Sequence, residues 1–330
     1  MMIYPHGNDI GIMRKVCFYE YGGVEVLQLE EIKSRKLDGG EIRIKTEAIG
    51  VNPVDTYFRE GAYKVPRLPW TPGSDFAGVV EEVGSKKSDL KVGDRVYGTG
   101  LGRDMDGTYS ESIVAPRDNL AILPDQIEFE DGAAIALVGV TAWRALVDHA
   151  NLISGEKCLI HGGNGGVGHV AVQIAEEIGA EVTTTARSEY HTELKRIGAK
   201  HVFGYNEDNL AELIDDTGQK DVILDHRCDE YMGLNIQVAS KNARIVGIGQ
   251  EKDQVTIPKF SIARSKELEI YMMSMFNTPK ISSILDHISR MMLEGSLEVL
   301  VAKRYPLERA GEAQKMIYSQ SNMGKIVIIP

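Results

Sequence analysis

Along residues 14–116, short runs rich in β-branched, aromatic and other apolar residues, such as RKVCFYEY, EIRIKTEAIGV, FAGVVEEVG and TYSESIVAP, are separated by Gly, Pro and Asp. Those runs and their punctuation predict a mainly β region. From about residue 133 the texture changes. DGAAIALVGVTAWRALVDHA has helical spacing, and the apolar runs CLIHG, EVTTTA, HVFGY, DVILD and RIVGIG then alternate with amphipathic stretches. Strands apolar on both faces need helices on both sides, so this half predicts a doubly wound parallel α/β sheet. After 278, PKISSILDHISRMMLEG aligns Ile281, Ile284, Leu285, Ile288, Met291 and Met292 on one helical stripe, followed by a short helix and the strand GKIVII. KELEIYMMSM, at 266–275, reads either as an edge strand able to pair with a twofold mate or as an internal strand.

Composition narrows the class. The 330 residues suggest about two domains, and 43% apolar with 26% charged residues is too apolar for a disordered chain. Lys and Arg number 37 against 48 Asp and Glu, a net charge of −11, which argues against nucleic acid as a partner. Cys17, Cys158 and Cys228 form neither a close pair nor an even set. They therefore suggest a reducing compartment rather than a disulfide framework or zinc knuckle. Nothing at the start resembles a signal peptide and no run is long enough to span a membrane, so the expected location is the cytoplasm.

The most informative stretch is KCLIHGGNGGVGHVAVQIAEEIGAEVTTTA. An apolar strand runs into Gly163, Asn164, Gly165, Gly166, Val167 and Gly168, and these lead into a helix. The spacing fits the dinucleotide pattern G-x-G-x-x-G. There the backbone must turn tightly, approach a pyrophosphate, and let the helix pack on the strand. The next helix carries Val170, Ala171, Ile174 and Ala175 at spacings of three and four, and the second strand follows on schedule. That strand ends Ala186, Arg187, Ser188, where an NAD site would place an acidic residue. A guanidinium and a hydroxyl suit a 2′-phosphate, so NADP(H) is the expected cofactor. Glu189 points toward NAD(H), and Ser188 can equally be the N-cap of the following helix.

Several stretches together resemble the medium-chain dehydrogenase/reductase superfamily, specifically its zinc-free quinone oxidoreductases of the ζ-crystallin type. They are YGGVEVLQLEEI (21–32), VNPVDTYFREGAY (51–63), PWTPGSDFAGVVEEVG (69–84), KVGDRVYG (91–98), GVTAWRAL (139–146) and the glycine loop. The resemblance covers Met13 to the C-terminus and makes residues 1–12 an extension or an alternative start. It implies a GroES-like β-rich catalytic domain whose first part is 13–134, a Rossmann NADP(H)-binding domain at 135–277, and a return to the catalytic domain over 278–330. It also implies a homodimer or homotetramer.

Zinc alcohol dehydrogenases belong to the same superfamily. At their catalytic ligand positions this chain has Asn52, Ser74 and Leu137, and 98–111 lacks the cysteines of their structural zinc lobe. Those side chains cannot form the thiolate and imidazole set that zinc needs, so no metal is expected. Hydride transfer without a metal suits an acceptor already primed for it, such as a quinone or conjugated enone. By resemblance Asn52, Asp55, Tyr57 and Tyr63 are the catalytic candidates. The residues alone also allow packing tyrosines, a turn Asn, and an Asp that fixes its loop. Thr141, Gly247, Gly249 and Lys325 match family positions near the nicotinamide or cleft, Tyr205 one near the 2′-phosphate, and Asn52 can also meet the cofactor ribose. Thr141 can instead bond back to its own helical turn.

Two departures stand out. A Lys that relatives often carry after the second strand is replaced by Glu189, Tyr190 and His191, leaving Arg187 as the phosphate reader. After the fourth strand, Asp225, His226, Arg227, Cys228 and Asp229 stand where relatives have Asp-x-Val-Gly-Gly, a loop that can contact the cofactor or point into solvent. The resemblance implies an NADPH:quinone reductase. An enoyl reductase acting on α,β-unsaturated ketones, aldehydes or thioesters uses the same residues, and a non-catalytic NADPH-binding sensor or structural protein is the reading of another class.

Overall fold

The computed structural model describes residues 11–85, 88–319 and 322–330. The candidate extension therefore lies almost wholly outside the described residues. The chain forms two compact units: Met1–Ala133 with Lys303–Ser319 and Ile326–Pro330, and Ala134–Ala302 with Gln320–Lys325.

In the first unit the long strand Glu41–Val51 organises a seven-stranded sheet, pairing antiparallel with Phe76–Val83, Ser112–Pro116 and Lys325–Ile329. Ile42, Ile44, Thr46 and Ala48 alternate inward, as a sheet with one wet face demands. From Ala48 to Val51 every residue is buried, so both faces of that end are covered. The strand then runs into the helix Pro53–Glu60, too short to show a helical period in the sequence. Its start combines Asn52 as N-cap, a capping box with Asp55, and Pro53 in the first turn, where its missing N–H costs nothing. Gly61 ends it at φ +79°, a conformation that favours glycine.

The second unit is a six-stranded sheet with strands in the spatial order His201–Gly204, Glu181–Ala186, Lys157–Ile160, Lys220–Asp225, Ala239–Gly247 and Glu269–Met272. Each neighbouring pair runs parallel. This is the doubly wound order of a dinucleotide fold, and the chain order reverses between Lys157–Ile160 and Lys220–Asp225. Each apolar run picked out by pattern forms one of these strands, and Glu269–Met272 lies at the edge, as its residues allowed. Among the described residues no helix is long and apolar enough to cross a membrane.

The chain rejoins the first unit at Lys303, not at 278. The helix Ile281–Glu294 stays with the parallel sheet because its buried stripe has partners there. A Cβ placed on Gly139 would sit 3.3 Å from the Ile288 side chain. An apolar stripe identifies a buried face but not the surface it buries against.

Candidate functional site

In the second unit, strand Lys157–Ile160 delivers the glycine loop to the N-terminus of helix Gly166–Ile178. Two of the pattern glycines, Gly163 and Gly168, have a steric reason. A Cβ on Gly163 would lie 2.3 Å from Thr184 Oγ1, and one on Gly168 only 2.1 Å from the Gly162 carbonyl oxygen. Gly162 itself has φ +71°. Gly165 is the N-cap and supplies no side-chain cap, which leaves the helix N-terminal amides without a side-chain acceptor. A pyrophosphate is the group such an end accommodates. Asn164 is almost buried, its Nδ2 donating to the Asn322 carbonyl at 3.4 Å, while Val167 is half-buried in the first turn. Lys325, also buried, lies along the loop with its Cδ 3.0 Å from where a Gly166 Cβ would be. These residues fit a dinucleotide.

Beneath the loop runs a buried polar chain that sequence reading missed. Asp225 Oδ2 accepts from Asn235 Nδ2 at 2.7 Å, and Asn235 Oδ1 lies 2.8 Å from His161 Nε2. This partner set assigns the Nε2–H tautomer of His161. His161 Nδ1 is 3.5 Å from Thr185 Oγ1, which accepts from the Gly162 N–H at 3.1 Å. All four side chains are at most 3% exposed. Burial lowers the imidazole of His161 to about 4, so it is neutral near pH 7. Burial raises the carboxyl of Asp225. Each of these residues looks like an ordinary strand or helix position in the sequence; strand pairing, with the helix Cys228–Val238 that carries Asn235, unites them.

The second and third strands pair in register up to Ala186 and Gly204, which sets the residues after them side by side. Arg187 Nε–H accordingly donates to the Tyr205 hydroxyl at 3.1 Å, with both side chains solvent-accessible. Ser188 is exposed and opens the 3₁₀ turn Ser188–Tyr190 without a side-chain cap, while the α-helix begins at His191. It is therefore not that helix's N-cap. Thr141 donates to the Leu137 carbonyl at 2.8 Å, the back-bond of a helical Thr. Gly247 is required by packing, since a Cβ would lie 2.5 Å from Cys228 Sγ, and one on Gly249 would lie 2.7 Å from the His226 carbonyl oxygen.

In the first unit, the capping box draws several polar groups together. Asn52 Nδ2 donates to Asp75 Oδ2 at 2.8 Å, and the Asn52 backbone N–H donates to Asp55 Oδ2 at 2.9 Å. The Tyr109 hydroxyl donates to that same oxygen at 3.1 Å. Asp55 and Asp75 are fully buried, and Asn52 is 1% exposed. Asp55 is thus built into the turn that presents Asn52. The rings of Tyr57 and Tyr63 meet edge to face with centroids 5.7 Å apart, Tyr63 being exposed and Tyr57 half-buried. Burial pushes the Tyr57 phenol well above its ordinary pKa, which keeps it a hydrogen-bond donor. Tyr109, Asp75 and the exposed Tyr318, whose hydroxyl is 3.0 Å from Thr56 Oγ1, were not predicted. At the positions where zinc enzymes carry ligands, Asn52 holds Asp75, and Ser74 donates to the Leu101 carbonyl at 2.9 Å.

A parallel sheet with a glycine cradle at its topological switch point, in one chain with a β-rich unit, defines a dinucleotide-dependent oxidoreductase. Residues 38–125 match the alcohol dehydrogenase GroES-like domain, and 197–328 match the zinc-binding dehydrogenase family. The quinone oxidoreductase of Mus musculus is 33% identical over 327 residues, covering 96% of this chain and 98% of its own length. The crystal structure of Escherichia coli quinone oxidoreductase complexed with NADPH superposes with a TM-score of 0.88 at 30% identity, over 96% of this chain and all of that one. An NAD-dependent alcohol dehydrogenase structure also gives 0.88, at 28% identity over 96% of this chain and 99% of its own. The chain belongs to the quinone oxidoreductase family of medium-chain dehydrogenases/reductases.

Proposed function

We propose that this protein is an NADPH:quinone reductase that works without zinc. The observation that carries the cofactor choice is the Arg187–Tyr205 pair at the ends of adjacent strands, where a guanidinium and a phenol stand in place of the carboxylate that would read a ribose 2′-hydroxyl. Ser188 adds a hydroxyl, and Gly163 to Gly168 form the pyrophosphate cradle. Thr141, Gly247, Gly249 and Lys325 complete the cofactor-facing set. The reduced nicotinamide supplies the hydride. The chain's own work is to orient the acceptor and to place donors at the oxygen that gathers charge. In this reading Asn52 orients the acceptor carbonyl or cofactor ribose, Asp55 holds Asn52, and Tyr57 and Tyr63 offer hydroxyl donors. Zinc independence is supported by the chemistry of Asn52, Ser74 and Leu137, none of which supplies a thiolate, imidazole or carboxylate. The edge strand Glu269–Met272 is read as the pairing edge of a homodimer. Three buried free cysteines suit a cytoplasmic setting.

The test is loss of nicotinamide absorbance from NADPH and from NADH, using chelator-treated protein with an ortho-quinone, a para-quinone, an enone and an enoyl thioester. The reading expects NADPH-preferring reduction of a quinone. Turnover confined to the enone or thioester replaces it with enoyl reduction. Tight NADPH binding with no turnover replaces it with a sensor.

A further inference from the structure

The loop Asp225–Asp229 follows the strand at which the sheet order reverses. Its first turn faces the glycine loop that follows the neighbouring strand Lys157–Ile160. Arg227 is turned away, its guanidinium 2.8 Å from Glu230 and also paired with Glu251. The His226 ring does the opposite. It lies directly on Gly162, with Cε1 2.6 Å and both ring nitrogens 3.2 Å from where a Cβ would be, so only glycine can occupy that position beneath it. The imidazole is nonetheless solvent-accessible. Behind it, Tyr231 stands 6.3 Å away, centroid to centroid, and stacks on His161 at 4.5 Å.

The buried polar chain fixes both walls of this crevice. One end of Asp225 accepts the Arg227 backbone N–H at 2.7 Å, which sets the turn carrying His226. The other end runs through Asn235, His161 and Thr185 to the Gly162 N–H. In an open parallel sheet the dinucleotide lies outside the carboxyl ends of the strands at this reversal, against the glycine loop. An exposed imidazole held there by a buried scaffold, its ring also bonded to the His161 backbone, has an aromatic face and its second ring nitrogen in the ligand's path.

We propose that His226 is a cofactor-contacting residue that meets the ribose-phosphate part common to NADPH and NADH, and so adds affinity without choosing between them. This rests on the dinucleotide reading of the site above. The measurement is the dissociation constant of each nucleotide, read from nicotinamide fluorescence, for wild type, His226→Ala and Arg187→Ala. His226→Ala should weaken NADPH and NADH by the same factor, about 5- to 30-fold, whereas Arg187→Ala weakens NADPH alone. Affinities within twofold of wild type, tighter binding, or a loss confined to NADPH overturn the proposal.

A second measurement needs no variant. Diethyl pyrocarbonate should modify His226 in the wild-type chain, as read by peptide mass, and saturating NADPH or NADH should each protect it. Unprotected modification overturns the proposal. A wild-type chain that binds neither nucleotide overturns the dinucleotide reading and the proposal with it, whereas normal binding in His226→Ala overturns the proposal alone.

Discussion

Mild acid should destabilise the parallel-sheet unit through two buried histidines. His161 and His169 are 3% and 0% exposed, and burial holds both imidazoles at about 4, against an ordinary value of 6.5. Each ring uses a nitrogen as an acceptor. His169 donates through Nδ1 to the Gly165 carbonyl at 2.9 Å and accepts the Leu300 N–H on Nε2 at 3.3 Å, while His161 Nδ1 faces the Thr185 hydroxyl. A second proton would remove the acceptor and bury a charge.

The sign follows from linkage. The folded pKa lies below the unfolded one, so the stabilisation is complete above about 6.5 and is lost as pH falls toward about 4. Between pH 7 and pH 5 the unfolded imidazole becomes almost fully protonated while the folded one stays neutral, which costs about 2 kcal/mol per histidine and about 4 kcal/mol together. That is a large share of a typical stability of roughly 5–15 kcal/mol. Carboxylates held low by ion pairs, such as Glu181 beside Lys200, contribute their loss at lower pH. Asp225, whose pKa is raised by burial, works in the opposite direction and offsets part of the fall.

The assay is urea unfolding at pH 7, 6 and 5 in a Trp70→Phe background, where Trp143 reports on the second unit. His161→Gln and His169→Gln should each remove about 2 kcal/mol of the pH-dependent loss; the lowered imidazoles of His226 and His201 add to the wild-type loss in the same direction. A wild-type loss below about 1 kcal/mol, or an undiminished loss in both variants, would refute the argument.

Gly168→Ala puts a methyl group 2.1 Å from a backbone oxygen, so the loop must shift; nucleotide affinity should fall on the order of a hundredfold, as measured by fluorescence titration. Asp55→Ala removes the acceptor of both the Asn52 N–H and the Tyr109 hydroxyl and should cost about 2–4 kcal/mol in thermal or urea unfolding, while Asp55→Asn should recover part of the loss. Arg187→Ala should raise the NADPH dissociation constant roughly 10- to 100-fold and leave that of NADH within about twofold.

The strand, glycine loop and helix of residues 157–178 were legible because their signals are local: an apolar run, closely spaced glycines and a helical stripe. Arg187 and Tyr205 were legible one at a time, and register then placed the phenol 3.1 Å from the guanidinium. The helix Pro53–Glu60 was missed because eight residues leave little periodicity, although its Asn, Pro and Asp start signals stand in the sequence.

By itself, then, the sequence determined the class of fold, the cofactor loop and the chemistry absent from the ligand positions, since each depends on residue type at short spacing. Tertiary structure alone decided that the helix Ile281–Glu294 stays with the parallel sheet, that Asp75 and Tyr109 meet the capping box of Asn52, and that His226 lies on Gly162. Inserting the strand Lys220–Asp225 beside Lys157–Ile160 makes neighbours of residues more than sixty positions apart, and no local pattern carries that information.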